Sequence, residues 1–156
     1  MDLTTLLQLL PNAIAWAQFQ ADHIAALGVP LPENLAAVAH RVGVRKPELI
    51  RVKRVDHIPL PGDALLRRAA HRAGLLGPET LGLTLGYGIF IVSGHDTVRL
   101  LSHEFRHVYQ YETLGSIDKF LPVYLQQIVD FGYADAPLEV DAREYEMLSA
   151  QTCHRT

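Results

Sequence analysis

The sequence contains a single cysteine, Cys153. One cysteine cannot form an intramolecular disulfide or supply the paired thiolates of a cysteine-based zinc knuckle. Basic residues are also missing from the start of the chain, because no lysine or arginine precedes Arg41. A secretory signal begins with such residues. Both absences are compatible with a reducing compartment, and we expect a cytoplasmic protein.

Long apolar runs and a strong net charge are likewise missing. The longest nearly apolar stretch surrounds YGIFIV, far short of the roughly 20 residues that a membrane-spanning helix needs. The chain has 156 residues, of which 20% are charged, and a formal net charge of -3. This composition is ordinary for one globular domain. We therefore expect a single domain over residues 1–156, without a membrane span.

Basic residues are concentrated in the segment that runs from Arg41 to Arg54. A nucleic-acid surface can have such a composition. However, the segment contains no aromatic residue on which a base could stack. We interpret it as a solvated strand face and expect no nucleic-acid partner.

Helical patterns dominate the first 45 residues. Leucine and alanine are frequent from residue 3 to residue 27, where Pro11 divides two predicted helices and Gly28 ends the second. A third helix is predicted at about residues 33–42. We describe residues 1–45 as a helical N-terminal part and residues 49–150 as the catalytic core.

The core begins with alternating strand patterns. ELIRVKRVDHI predicts one strand, and LGLTLGYGIFIV predicts a second over residues 83–92. The glycines of the second, Gly82, Gly86 and Gly88, indicate a bulge or a close approach to the backbone. Between these strands, Asp63 is placed to cap a helix.

Three further helices are predicted after the strands. Asp96 or Thr97 is the predicted N-cap of the first, which ends at Gly115. Ser116 and Asp135 are the predicted caps of the other two, and the last helix is expected to reach about residue 152. The fold class predicted from these patterns is α+β.

The first of these helices contains the motif HEFRH, from His103 to His107. Side chains four residues apart on a helix lie about 5 to 6 Å apart at Cβ, so two imidazoles can converge on one zinc ion. Glu104 can reach a water beside such an ion and accept its proton. With eight histidines in the chain, coincidence predicts the pattern about 0.02 times. The motif therefore predicts zinc binding.

A third protein ligand is needed, because catalytic zinc usually keeps three. The extended zincin pattern is excluded, since Gln110 and Thr113 replace its glycine and histidine. A later carboxylate must serve instead. Glu139 lies in the first turn of the last predicted helix, with the small residue Ala142 one turn later. Glu146, about two turns on, is its main competitor. The other acids nearby are Asp130, Asp135, Asp141 and Glu144; Asp141 and Glu144 are expected to face solvent.

Two histidines followed one helix later by a glutamate resemble the gluzincin class of zinc metallopeptidases. The segments GLTLGYGIFIV, LLSHEFRHVYQYE, GSIDKFLPVYL and GYADAPLEVDARE, in this order, resemble a family of small uncharacterised bacterial gluzincin-like proteins over about residues 49–146. The resemblance implies a minimal zincin-like domain, with a small β-sheet packed on a central HEFRH helix. It also implies His103, His107 and Glu139 as zinc ligands and Glu104 as general base.

One position departs from the family pattern. Gluzincins often carry an aspartate four residues after the ligand glutamate, and this chain has Arg143 there. The group that orients a ligand histidine therefore stays open. The candidates are Asp118, Asp130 and Asp135.

The predicted activity is peptide-bond hydrolysis by a zinc-activated water, with a peptide or protein as substrate. The alternatives are a zinc hydrolase of a non-peptide amide and a binding module in which the metal is only structural. Tyr133, Tyr145 and His95 are candidates for stabilising the oxyanion. The strand at 83–92 is either a plain buried strand or an edge that pairs with an extended substrate. The oligomeric state stays open.

Overall fold

A computed structural model describes residues 3–149 of the chain. Cys153 and the predicted end of the last helix near residue 152 lie outside this range. The described residues form seven α-helices and one four-stranded mixed sheet. The predicted α+β class is therefore confirmed. No helix in this range is long and apolar enough to cross a membrane.

The secondary structure alternates between helices and short strands. The helices are α1 Thr4–Gln8, α2 Leu10–Leu27, α3 Glu33–Arg41, α4 Ala64–Arg72, α5 Val98–Leu114, α6 Ile117–Phe131 and α7 Pro137–Glu144. The strands are β1 Val29–Pro30, β2 Arg51–Val55, β3 Gly82–Leu85 and β4 Gly88–Val92, and a 3-10 turn at Pro47–Leu49 precedes β2.

The sheet has the order β1-β2-β4-β3, in which β2 and β4 are parallel and the other neighbours antiparallel. The prediction of one strand over residues 83–92 is wrong, because β3 and β4 are the two arms of a hairpin. Gly86, with a φ of 67°, and Tyr87 form its two-residue turn. A glycine in the first position of such a turn allows the chain to reverse. As a result, β3 is an edge strand and β4 is central.

The other two glycines of this segment lie where another element approaches the backbone closely. A Cβ atom on Gly88 would lie 3.1 Å from the side chain of Ile24 in α2. One on Gly82 would lie 3.0 Å from Oε2 of Glu104 in α5. The predicted close approach is thus confirmed at both positions, and it brings β3 directly against the HEFRH helix.

Helix α5 lies at the centre of the core. Phe105 and Val108 on its apolar side are fully buried and pack with Ile89 and Ile91 of β4. Burial of such a side chain contributes roughly 1.5–3 kcal/mol relative to exposure. The N-terminal helices also pack on the sheet, since Ile24 of α2 is fully buried in a second apolar cluster with Leu85 of β3 and Phe90 of β4.

The helix caps follow the predictions in the first part of the core. Asp63 accepts hydrogen bonds from the backbone N–H groups of Leu65 and Leu66. Thr97 accepts one from Leu100, so Thr97 rather than Asp96 is the N-cap of α5.

The caps of the last two helices differ from the predictions. Ser116 occupies the N-cap position of α6 without a side-chain cap. Ala136, not Asp135, is the N-cap residue of α7, whose Leu138 N–H donates to the side chain of Gln127 in α6. The side chain of Gln127, from the neighbouring helix, thus accepts a hydrogen bond from the start of α7, as Asp135 was expected to do. Helix α7 also ends at Glu144, because the chain then turns back over α5.

The contact between α2 and the sheet gives a prediction about stability. Gly88→Ala should lower the free energy of unfolding by about 1–3 kcal/mol, because the added methyl group overpacks Ile24. Gly62→Ala is the matched control, since no atom lies within 4 Å of its added Cβ. Urea denaturation of both variants would measure the difference. Equal unfolding midpoints would contradict the close packing.

Candidate metal centre

Helices α5 and α7 bring two histidines and a glutamate together. His103 and His107 lie one turn apart on α5, with their ring centroids separated by 4.9 Å. Ala142 of α7 is fully buried in the contact with α5, and its small side chain permits close approach. Glu139, one turn earlier on α7, is 2% exposed. Its carboxylate therefore faces α5 and not solvent.

The three side chains converge on a common point. His103 Nε2 lies 3.3 Å from Glu139 Oε1, and His107 Nε2 lies 3.1 Å from Glu139 Oε2. One ligand atom from each residue can be chosen so that all lie within 4.8 Å of one another. Two imidazole nitrogens and a carboxylate form a donor set typical of zinc. The residues predicted as ligands are thus the residues that the fold gathers.

Hydrogen bonds fix which nitrogen of each histidine faces the centre. His103 Nδ1 lies 2.9 Å from Glu146 Oε2, and a carboxylate can only accept. His107 Nδ1 lies 2.8 Å from Gln110 Oε1. The amide nitrogen of Gln110 donates to Leu138 O and to Asp141, so its oxygen is the acceptor for His107. In the neutral form, both rings therefore carry the proton on Nδ1 and direct the Nε2 lone pair at Glu139.

Lone pairs that face a carboxylate at this distance repel it unless a proton or a metal ion compensates the charge. Oε1 of Glu139 is buried and has no hydrogen-bond partner among the described residues, so it could serve as a ligand atom. In the absence of a metal, protons take the role. Burial alone would lower the pKa of His107, but contact with Glu139 raises it to about 9. Burial alone would raise the pKa of Glu139, but the two histidines hold it far below its usual range.

A chain of hydrogen bonds supports His107 from behind. Gln110, which accepts from His107, donates to Asp141 Oδ2. Asp141 also accepts from Arg106 Nε at 2.8 Å. The Arg106 guanidinium lies between the rings of Tyr109 and Tyr145, 3.9 Å and 3.5 Å from their centroids. Two aromatic rings and a bidentate carboxylate leave this guanidinium little freedom.

These contacts bury polar residues and correct one expectation about the helix surfaces. Arg106 and Ser102 of α5 are 9% and 0% exposed. Asp141, expected in solvent, is half-buried against Arg106. The reason is common to all three, because α7 and the residues after it cover this face of α5. Helical periodicity could not reveal that cover.

The residues after α7 also orient His103. Met147 N–H donates to the hydroxyl of Ser102, and Glu146 accepts from Arg99 as well as from His103. Glu146, considered from sequence as a rival ligand, thus contacts the Nδ1 side of the ring, away from the convergence point.

The aspartates considered for the orienting role have no contact with either histidine among the described hydrogen bonds. Asp118 accepts from Ser116, and Asp130 accepts from Gln126. Asp118, Asp130 and Asp135 are all exposed.

Glu104 lies beside this centre on the wall formed by β3. Its Oε1 accepts a hydrogen bond of 2.8 Å from the Thr84 hydroxyl. Its other oxygen, Oε2, lies against Gly82, where a larger residue would collide with it. Because Glu104 is 5% exposed, β3 holds its carboxylate in a confined position. Sequence analysis missed Thr84, although its place on the strand next to the motif helix was a usable signal.

A cavity of about 480 Å³ adjoins the centre. Its wall includes His103, Glu104, His107 and Glu139. Such a volume lies within the range of about 300–1,000 Å³ for small-molecule sites. The centre is therefore reachable from a space that can hold a ligand, and the free edge of β3 lies along that space.

Tyrosines contribute to the polar lining of the cavity. Tyr124 donates a hydrogen bond of 2.8 Å to Glu139 Oε2; it was not among the sequence candidates. Tyr133, which was, also lines the cavity although it is 41% exposed. Partial desolvation together with the charge of Glu139 raises its pKa. Tyr145 instead stacks on Arg106, and His95 is exposed in a turn. Of the three predicted oxyanion donors, only Tyr133 lines the cavity.

Comparison with protein-family models, curated proteins and solved structures found no match to this chain. The resemblance to gluzincin-like proteins therefore stays a prediction. The chemistry of the site rests on the geometry of its own residues.

Zinc affinity should depend on pH even above the pH at which an ordinary histidine loses its proton. Zinc binds neutral imidazole, so the proton that His107 holds up to a pKa of about 9 must leave. Because the folded pKa is raised, that proton is bound throughout pH 6 to 8. We expect the zinc dissociation constant to fall about tenfold per pH unit for each proton released. Competition with a chelator, corrected for the chelator's own protonation, measures it. An affinity that is constant from pH 7 to 8 would contradict the coupling.

The groups behind the histidines should control zinc affinity. Glu146→Ala and Gln110→Leu each remove an acceptor from Nδ1, and we expect each to weaken zinc binding by about 10–100-fold. Glu144→Ala, at an exposed position on α7, is the matched control. If both deletion variants bind zinc as tightly as the control, the two groups do not orient the ligands.

Proposed function

We propose that this chain is a zinc-dependent peptidase with a gluzincin-like site on a minimal zincin-like fold. The observation that carries the proposal is the position of Glu104. It lies in the wall of the same cavity as the convergent group of His103, His107 and Glu139. A metal-binding group and an adjacent carboxylate that share one accessible space are the components of metal-assisted hydrolysis.

The residues of the chain have distinct roles in this proposal. When bound by His103, His107 and Glu139, zinc would polarise a carbonyl group and acidify a water molecule. Glu104 accepts the proton of the attacking water and later transfers it to the leaving amine. The Thr84 hydroxyl holds one oxygen of Glu104 in place. Tyr133 lines the cavity as a neutral hydroxyl donor, since its pKa is raised, and is positioned to stabilise a developing negative charge.

A peptide is the favoured substrate because of β3. This strand pairs on one side with β4 and ends the sheet on the other, and its residues line the cavity beside Glu104. An extended peptide can pair with such an edge through main-chain hydrogen bonds. The edge of β3 would then present the scissile bond to Glu104, which Thr84 of the same strand holds in place.

A purely structural role for the metal is the competing function. Structural zinc sites are closed by four protein ligands. Among residues 3–149, the group has three potential ligands, and each of them also lines the cavity. This arrangement favours a site with a position open to substrate.

Two variants test the proposal. We expect about one zinc per chain in the purified protein, and none in the His103→Ala/His107→Ala double variant. Zinc-loaded protein should generate new N-termini in a peptide library read by mass spectrometry. Glu104→Gln keeps the shape of the side chain but cannot accept the proton, so it should lower cleavage at least about 100-fold while retaining zinc.

The control is Glu144→Gln, an equivalent change at an exposed site, which should cleave the library as the wild type does. Full zinc occupancy in the double variant would overturn the ligand assignment. Undiminished cleavage by Glu104→Gln would overturn the role of Glu104. A library left intact by the zinc-loaded wild type would overturn peptide hydrolysis itself.

A further inference from the structure

The cavity beside the metal centre is walled by parts of the chain that are distant from the HEFRH motif in sequence. Helices α1 and α2 contribute Leu6, Ala13, Trp16 and Ala17. The sequence pattern assigned these residues to an N-terminal part outside the catalytic core. In the fold they line the same cavity as the motif helix. The N-terminal helices therefore shape the space that a substrate would enter.

The chemistry of this wall is predominantly apolar. Leucine and phenylalanine side chains from α4, β3 and α6 complete it, among them Leu66, Leu83 and Phe120. No lysine or arginine is present among the described residues that line the cavity. Outside the metal centre, the single charged lining residue in this range is Glu79, which is exposed. A charged group that entered would find no partner in the apolar part, and its desolvation would be costly.

The cavity is too large to be filled by one small side chain. At about 480 Å³, it falls in the range of sites that enclose whole small ligands. Several alanines in the wall, such as Ala13, Ala17 and Ala70, leave this space open. A large apolar group attached to the scissile amide would fill it and gain burial energy.

We propose that α1 and α2 shape this cavity to select substrates with a large, uncharged apolar group next to the scissile amide. This proposal rests on the function proposed above. Either an acyl chain of about six or more carbons or a bulky apolar side chain of a peptide has this chemistry. Each methylene group that enters should raise affinity by about two- to fourfold. Binding strength should therefore increase along a homologous series, whereas charged groups should gain nothing.

Hydroxamic acids provide the probe, because the hydroxamate chelates zinc and its substituent can be varied. We expect affinity to rise at least about 50-fold from acetohydroxamate to octanohydroxamate on the zinc-loaded protein, measured by calorimetry. A second series of N-acetyl amino-acid hydroxamates, with Gly, Leu, Phe or Lys, distinguishes the two sources. A larger gain along the alkyl series indicates an acyl chain, and a larger gain for Leu or Phe indicates a peptide side chain. In either case Lys should bind no better than Gly.

Trp16 gives a readout that needs no metal. It is the single tryptophan of the chain and lines the cavity, so its fluorescence reports occupancy. Octanamide, which is uncharged, should shift the Trp16 emission of metal-free protein, whereas acetamide should not. This measurement distinguishes a failure of the proposed metal function from a failure of the proposed apolar cavity. If acetohydroxamate does not bind but octanamide shifts the emission, the metal function fails and the apolar cavity stands.

A matched pair of variants locates the effect on α2. Ala13→Phe fills the cavity, and Ala26→Phe makes the same change at an exposed position of the same helix that lies outside the cavity wall. The ratio of octanohydroxamate to acetohydroxamate affinity should collapse by more than about tenfold in Ala13→Phe and stay native in Ala26→Phe. Zinc content and the unfolding midpoint check that both variants fold. Equal affinity for all members of both hydroxamate series would overturn the proposal. So would a folded Ala13→Phe variant in which affinity rises with chain length as much as in the wild type.

Discussion

The contact of Glu139 with the two histidines is the interaction on which the rest of the site depends. It places one carboxylate of α7 against two ring nitrogens of α5 in a buried space. A buried carboxylate is costly unless its charge is compensated. The neighbouring features all serve this compensation: acceptors hold the Nδ1 protons, Tyr124 donates to one carboxylate oxygen, and the second oxygen is left for a cation. The packing of α7 on α5 is thus an electrostatic arrangement as much as an apolar one.

The parts of the site that follow local rules were predictable from sequence. The spacing of His103 and His107 depends only on helix geometry, and the N-cap at Thr97 depends only on adjacent residues. Glu139 was ranked above its rivals because of its first-turn position, the nearby Ala142 and the resemblance to gluzincin-like proteins together. These features need no knowledge of which elements meet in space.

Features created by tertiary contact were not predictable in this way. Asp141 was assigned to solvent from its angle around α7, yet Arg106 of another helix pairs with it. Glu146 was treated as a competing ligand because distance along the sequence does not indicate which side of an imidazole it will meet. The hairpin turn at Gly86 was missed for a different reason, since continuous alternation of apolar residues on both arms resembles one long strand. For Asp141 and Glu146 the missing information was the identity of the neighbour.

The crossing of α7 over α5 would also link any metal binding to folding. His103 and Glu146 are separated by 43 positions in sequence, so the unfolded chain holds the two histidines near each other but keeps both carboxylates away. A cation held by His103, His107 and Glu139 would bind the native chain far better than the unfolded one, and its binding energy would be added to the free energy of unfolding. Each tenfold excess of free ion over its dissociation constant then contributes about 1.4 kcal/mol. The concentration of free metal in the surroundings would therefore set the fraction of chains that is folded.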